Sequence, residues 1–182
     1  MDLRTTILGL LSWKPASGYD LKRIISESDI FYWSGNNNQI YKSLLELQKE
    51  GLVTHQVQLQ ESLPAKKIYS ITEKGLSALH ASLLAEPQLP ELHKSFLIQL
   101  AWAEVLPDEA ILGLLEKYAS EIAAHLHLLE GQAARTQGTP QRSAREQYLW
   151  QRIADNLIRA YQTELEWTHQ TQQALQTGKF EG

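Results

Sequence analysis

The sequence contains no cysteine. That absence removes disulfides, thiolate metal sites and cysteine nucleophiles together, and with no signature of an oxidising compartment a cytoplasmic location is expected. Long apolar runs are missing too. Ile7 to Leu11 falls far short of the ~20 residues that cross a bilayer, and Met1-Asp2-Leu3-Arg4 lacks the basic-then-apolar order of a secretory signal, so no membrane partner is expected. There is no Gly-rich phosphate loop and no nucleophile elbow, which argues against an enzyme: no catalytic residue and no cofactor is expected. The six histidines never take H-x-x-x-H spacing. His125 and His127, two apart, point to nearly opposite helix faces, so no metal site is expected. Asp108-Glu109 sits where a helix start favours acids, and Glu164 and Glu166 are two apart on a polar surface; both pairs read as structural.

An excess of positive charge is the last absence. The net charge is -4, which at first disfavours a nucleic-acid partner. The charge is uneven, however: residues 1–75 carry 9 Lys and Arg against 8 Asp and Glu, and the remainder carries 8 against 13. Contact with DNA depends on a local patch and not on the average. What is present is an ordinary globular composition, 43% apolar and 21% charged over 182 residues, sufficient for one or two domains with real cores.

Along the chain, a first helix is expected over Leu3 to Ser12, stopped by Trp13-Lys14-Pro15 because proline cannot continue it. Ser17-Gly18 opens a second, in which Tyr19, Leu21, Ile24 and Ile25 recur at helical spacing through Ser28. Ile30 to Trp33 forms a short aromatic bridge, and Gly35-Asn36-Asn37 a turn with an N-cap built in. A third helix runs from about Asn37 to Glu50 and ends at Gly51. At about 100° per residue, Ile40, Leu44 and Leu47 share one face with Tyr41 and Leu45 flanking, whereas Asn38, Gln39, Lys42, Glu46 and Lys49 gather opposite. Leu52 to Leu59 and Lys67 to Ile71 alternate as paired strands around a tip at about Gln60 to Lys66. Thr72 to Gly75 caps a fourth helix reaching about Ala85, and Glu86 to Pro90 reads as a linker.

The second half is helical throughout: one helix from Pro90 to about Glu104, one from Pro107 carrying Ile111, Leu115, Tyr118, Ile122, Leu126 and Leu129, a polar loop over Gly131 to Pro140, and a last helix of about 37 residues before Gly178. That last helix bears a stripe of Trp150, Ile153, Leu157, Tyr161 and Leu165. The expected fold is mainly α: a winged helix-turn-helix DNA-binding domain with a two-stranded wing over residues 1–86, then a helical dimerisation domain over 87–182.

Helix, helix, polar-faced helix and hairpin is the order of a winged helix-turn-helix, whose third helix lies in the major groove. The exposed face carries suitable chemistry. Asn38 and Gln39 can pair with adenine, and Lys42 can reach a guanine edge or a phosphate. Asn37 joins them as a candidate DNA contact, although a turn-and-cap role serves it equally. Tyr41 flanks the core, where burial and a phosphate contact through its hydroxyl are compatible. Lys66 and Lys67 stand near the wing tip, where ammonium groups displace counterions. Of the five tryptophans, Trp102 lies near the junction of the halves and is the candidate contact for a planar, small aromatic effector; core or dimer packing is the commoner fate of such rings.

Through Ile7 to Leu11, Ser17-Gly18-Tyr19-Asp20-Leu21-Lys22, Gln39-Ile40-Tyr41, Leu44 to Val53 and Lys67 to Gly75, the sequence resembles the PadR family of bacterial transcriptional regulators. The motifs cover about residues 5–85; the helical half is similar in architecture to the virulence-regulator branch. The resemblance implies homodimers formed through the C-terminal helices, binding to inverted repeats in double-stranded DNA, and repression often relieved by a small molecule, phenolic acids among them. Relatives commonly carry proline after the tyrosine of the third helix, and this chain has Lys42, so its groove contacts differ there. Two alternatives stay open: a winged helix used for protein contact, and a regulator without an effector.

Overall fold

The computed structural model describes residues 2–28, 38–58, 65–89, 94–135 and 142–178. These fall into two compact units, Met1–Pro90 and Glu91–Gly182.

In the first unit, α1 (Leu3–Trp13) starts where the Asp2 carboxylate accepts from the Thr5 amide at 2.9 Å, a side-chain cap for an otherwise orphan donor. It buries Leu3, Ile7, Leu8, Leu10 and Leu11 and stops two residues before Pro15. Helix α2 (Gly18–Ser26) opens on a capping box: the Asp20 amide donates to Ser17 Oγ, and Ser17 donates its amide back to the Asp20 carboxylate. Helix α3 (Asn38–Lys49) buries Ile40, Leu44 and Leu47. Its end is set by Gly51 at φ 73°. There the Leu52 amide donates to the Leu47 carbonyl at 2.9 Å and the Gly51 amide to the Gln48 carbonyl at 3.0 Å, the paired hydrogen bonds of a left-handed helix stop that glycine adopts without strain.

Strands β2 (Val53–Gln58) and β3 (Lys66–Ile71) pair antiparallel, Val53 opposite Ile71 and Gln58 opposite Lys66. To this expected pair the structure adds β1 (Ala16–Ser17), which joins the other edge of β3 with Ala16 opposite Tyr69 and gives the order β1-β3-β2. Helix α4 (Glu73–Leu83) is capped by Thr72, whose hydroxyl accepts from the Gly75 amide and donates to the Gly51 carbonyl at 2.8 Å. Gly75 is obligatory. A Cβ there would lie 2.1 Å from the Leu52 carbonyl oxygen, so the first turn of α4 presses directly onto the backbone before β2. Ile7, Leu21, Leu44 and Leu47 of three helices and Val53 of the sheet are almost wholly enclosed. The aromatic bridge at Ile30 to Trp33, the turn with Asn37, and most of the wing tip lie outside the described residues.

The second unit comprises α5 (Ser95–Ala101), a 3-10 turn at Ala103–Val105, α6 (Asp108–Arg135) and α7 (Ala144–Thr177). Helix α5 is shorter than the expected Pro90 to Glu104. The loop expected from Gly131 is also corrected, because α6 runs through Gly131 to Arg135: a lone glycine costs a helix only about 1 kcal/mol, and the following Gln132-Ala133-Ala134-Arg135 are good helix formers. Helix α7 starts at Ser143, which accepts from the Glu146 amide, and stops at Gly178 with φ 65°. Helices α6 and α7 pack on each other along their length. The stripe Trp150, Leu157, Tyr161 and Leu165 is half-buried, with Ile153 more exposed. It is not left wholly for a partner chain.

A polar lock ties the three helices of this unit. Glu164 of α7 pairs with Lys94 just before α5 and accepts from the Tyr118 hydroxyl of α6 at 2.8 Å. Phe96 of α5 stacks on the Tyr118 ring at 3.8 Å. Burial first, and the Glu164 carboxylate next, push the Tyr118 phenol up to about 12. Among the described residues no helix is long and apolar enough to cross a membrane, and no group of three or more His, Asp or Glu is arranged to hold a metal ion.

Candidate nucleic-acid interface

The outer face of α3 carries the chemistry that the periodicity assigned to it. Asn38, Gln39, Tyr41 and Lys42 are exposed, while Ile40, Leu44 and Leu47 anchor the opposite face. Because those anchors are enclosed in the core, the helix is held as a rigid rod whose first turns face solvent. The Lys42 side chain is 77% exposed and reaches Glu46 one turn on only at 4.0 Å, a surface pair worth ~0.5 kcal/mol at most that a phosphate would readily displace. Asn37 lies outside the described residues.

Tyr41 does two things at once. Its ring lies over Gly18, where a Cβ would come within 2.6 Å of Cε1, so glycine at that position is what lets the first turns of α2 and α3 meet. Its outer edge remains 44% exposed. Behind it, Tyr69 of β3 is buried, and burial first, then the neighbouring Tyr41 phenol, raise the Tyr69 hydroxyl above its ordinary value.

The two wing lysines separate. Lys66 Nζ lies 3.0 Å from the Asp20 carboxylate, and Asp20 accepts in addition from the Ser17 hydroxyl at 2.7 Å. The Ser17 hydrogen bond first, and Lys66 next, hold the Asp20 carboxyl below its usual range. Lys66 therefore ties β3 to the capping box of α2. Lys67, its neighbour, points to the other side of the strand and is exposed. That division depends on the pairing of β1 with β3, which no local sequence pattern signals.

Arg4 and Glu50 form a two-pronged ion pair between the start of α1 and the end of α3, with one contact at 2.8 Å. Lys74 donates to the Glu50 carbonyl at 2.7 Å. These cations serve the scaffold at the C-terminal end of α3, whereas Lys42 in the first half of that helix and Lys67 on the wing are exposed.

Tyr19 departs from expectation. Placed by spacing with the apolar set of α2, it is 64% exposed, because at 100° per residue it sits far around the helix from buried Leu21 and Ile25. In the helical unit, Trp102 closes α5 and is 76% exposed. An open groove of about 930 Å³ runs between α6 and α7 over Leu112, Gly113, Ala119 and Leu165, rimmed by Glu116, His169 and Gln173. Trp102 does not line it.

Comparison with known proteins fits both units. Residues 7–81 match the Transcriptional regulator PadR-like family, and residues 93–176 match the Virulence activator alpha C-term family. The chain is 31% identical over 130 residues to the negative transcriptional regulator PadR of Bacillus subtilis (strain 168), covering 71% of each protein. Its fold is that of Bacillus subtilis PadR in complex with operator DNA, with a TM-score of 0.82 at 24% identity over 95% of this chain and 98% of that one. The same protein in complex with p-coumaric acid matches with a TM-score of 0.75 at 23% identity, over 96% and 98%.

Proposed function

Since this chain belongs to the PadR-like family of transcriptional regulators, we propose that it acts as a homodimeric repressor on an inverted-repeat operator and is released from it by a small aromatic effector. Its relatives are DNA-binding transcriptional regulators and not enzymes. The observation that carries the reading is the exposed first half of α3, where Asn38, Gln39 and Lys42 stand on a helix pinned by three enclosed leucine and isoleucine anchors.

In this reading Asn38 and Gln39 read base edges in the major groove, Asn37 and Lys42 extend that contact, and Tyr41 gives its hydroxyl to a phosphate. Lys67 meets the backbone from the wing. Lys66 divides its ammonium between Asp20 and the same phosphate track. A single winged unit makes few base contacts, so specificity requires two at a fixed spacing, about one helical turn or a multiple of it apart. The helical unit supports that role with exposed Leu128, Tyr148 and Leu149, apolar surface that a second copy would cover. For the effector, the p-coumaric acid complex of a relative and the exposed Trp102 ring support a planar ligand in the helical unit. The protein works in the cytoplasm, where its DNA is.

Selection of bound sequences from a random duplex pool tests the reading, followed by a gel shift on the selected duplex and light scattering on the free protein. The expected result is a palindromic site and dimeric mass, with retardation reversed by a phenolic acid. A pool that yields no enriched sequence, or a monomer with full affinity, overturns it.

A further inference from the structure

Helix α2 presents a face that the α3 and wing contacts leave unused. Tyr19, its second residue, is 64% exposed, and Arg23, one turn on, is exposed as well. Spaced four apart, the two side chains lie one above the other on the same side of the helix. The buried positions Gly18, Leu21 and Ile25 occupy the opposite side, so neither Tyr19 nor Arg23 belongs to the packing of the unit.

The location of this face is fixed by two contacts. On one flank, Tyr41 of α3 lies against Gly18, close enough that any side chain there would collide with its ring. On the other, Asp20 holds Lys66 of β3 at 3.0 Å. The first turn of α2 therefore lies between the turn of α3 that carries Gln39 and Lys42 and the strand that carries Lys67. A duplex engaging α3 and the wing together has a sugar-phosphate strand running past that turn, as in helix-turn-helix complexes generally, where the first helix of the motif crosses the backbone while the second reads the groove.

Resting on the DNA-binding reading above, we propose that Tyr19 and Arg23 form a second backbone clamp: the Tyr19 hydroxyl donates to a phosphate oxygen with its ring against the adjoining sugar, and the Arg23 guanidinium grips a phosphate with two hydrogen bonds. A rigid phenol and a forked cation suit this task. Tyrosine and arginine both bond to phosphates, and such contacts set the register of a protein on the duplex without reading sequence. The clamp would hold α3 at the depth where Asn38 and Gln39 reach bases.

The two residues predict different signatures, which makes the test discriminating. Affinities of the full-length protein are measured over a salt series on its selected duplex and on a random duplex of equal length, for wild type, Tyr19→Phe, Tyr19→Ala, Arg23→Gln and Asn38→Ala. Tyr19→Phe, which keeps the ring, is expected to weaken both duplexes alike by about 5-fold with an unchanged salt slope, since a neutral donor displaces no counterion. Tyr19→Ala weakens them further. Arg23→Gln weakens both and lowers the log-log slope by about 1. Thermal midpoints stay at the wild-type value because both side chains are exposed. Variants that bind both duplexes as wild type does overturn the clamp while leaving base readout by Asn38 intact. A loss confined to the selected duplex makes Tyr19 a base reader, and a loss that follows a lowered midpoint makes it a packing residue; each overturns the proposal. A wild-type protein that selects no duplex overturns the DNA-binding reading, and the clamp with it.

Discussion

In the winged unit, Ile7, Leu21, Leu44, Leu47 and Val53 are enclosed by four helices and a sheet, whereas the helical unit gathers its buried cluster around Ala103, Ile111 and Leu115 and leaves Leu128, Tyr148 and Leu149 exposed. The difference follows from shape. Short elements that cross at several angles surround one another, so each apolar stripe finds a neighbour within the chain. Two long helices side by side cover one stripe each and turn the rest outward. The first unit is therefore expected to fold alone, and the proposed second copy would cover apolar surface that the second unit leaves outward.

Separating the units is the most severe way to break that contrast. A chain ending at Pro90 retains the whole winged core and is expected to fold as a monomer; if the helical unit links two copies as proposed, its affinity for the selected duplex should fall by about 10²–10⁴-fold, toward that for random DNA. Light scattering and a gel shift on the same preparation check this. Retention of dimeric mass and operator affinity would falsify the division of labour.

Within the winged unit, Leu44→Ala should cost about 2–5 kcal/mol, because the side chain is fully enclosed and the capped elements around it have little freedom to collapse. Leu149→Ala, on the exposed surface of α7, should leave the unfolding of a dilute sample nearly unchanged and show a cost only as concentration rises, as a shared surface requires. Chemical denaturation at two concentrations separates these cases. Equal costs at both concentrations would place Leu149 in the fold of its own chain.

A smaller effect sharpens the division inside the interface itself. Asn38→Ala should lose ~1–3 kcal/mol of discrimination between selected and random duplexes. Lys67→Ala should weaken both and lower the salt slope by about 1. Equal losses for Asn38→Ala on the two duplexes, or an unaltered slope for Lys67→Ala, would reverse the roles assigned to α3 and the wing.

The two units also differ in how legible they were. In the winged unit the signals were local and strong: Pro15 after α1, Ser17-Gly18 at the start of α2, and Gly51 with its left-handed backbone all mark ends that the chain observes. The polar face of α3 was equally readable, since burial of Ile40, Leu44 and Leu47 fixes by period what points outward. What escaped depends on partners distant in sequence. Two residues are too few for β1 to show a strand pattern, and with β1 unseen nothing could assign Lys66 to Asp20 while its neighbour Lys67 stays exposed. Tyr19 was misplaced because an aromatic ring counts as apolar whichever way it points. In the helical unit, Gly131 looked like a loop because glycine is a breaker on average, yet a helix of 28 residues spreads the cost of one such residue over many turns. The stripe on α7 was correctly periodic, but period alone does not say whether α6 of the same chain or another copy covers it.

The smallest expected effect concerns alkaline pH and falls on the helical unit. Tyr118 donates to Glu164, and burial with that carboxylate raises its phenol from the ordinary 10.0 to about 12. A raised folded-state value means that the native chain keeps a proton that the unfolded chain has released. The contribution is therefore complete below pH 10, where both states are protonated, and is lost as pH climbs from about 10 toward 12. Tyr69 is shifted in the same direction by its own burial, so the wild-type curve alone cannot isolate Tyr118. Comparison with Tyr118→Phe can. The variant lacks the hydroxyl but keeps the ring that stacks on Phe96, and Glu164 keeps Lys94 as a partner, so at neutral pH it should be less stable by only about 1 kcal/mol. As pH rises from about 10 to 12 the wild type gives up its advantage and the two unfolding curves, followed by circular dichroism, converge. Curves that run parallel to about pH 12 would mean that the hydroxyl titrates alike in both states, and the lock at Glu164 would then consist of Lys94 alone.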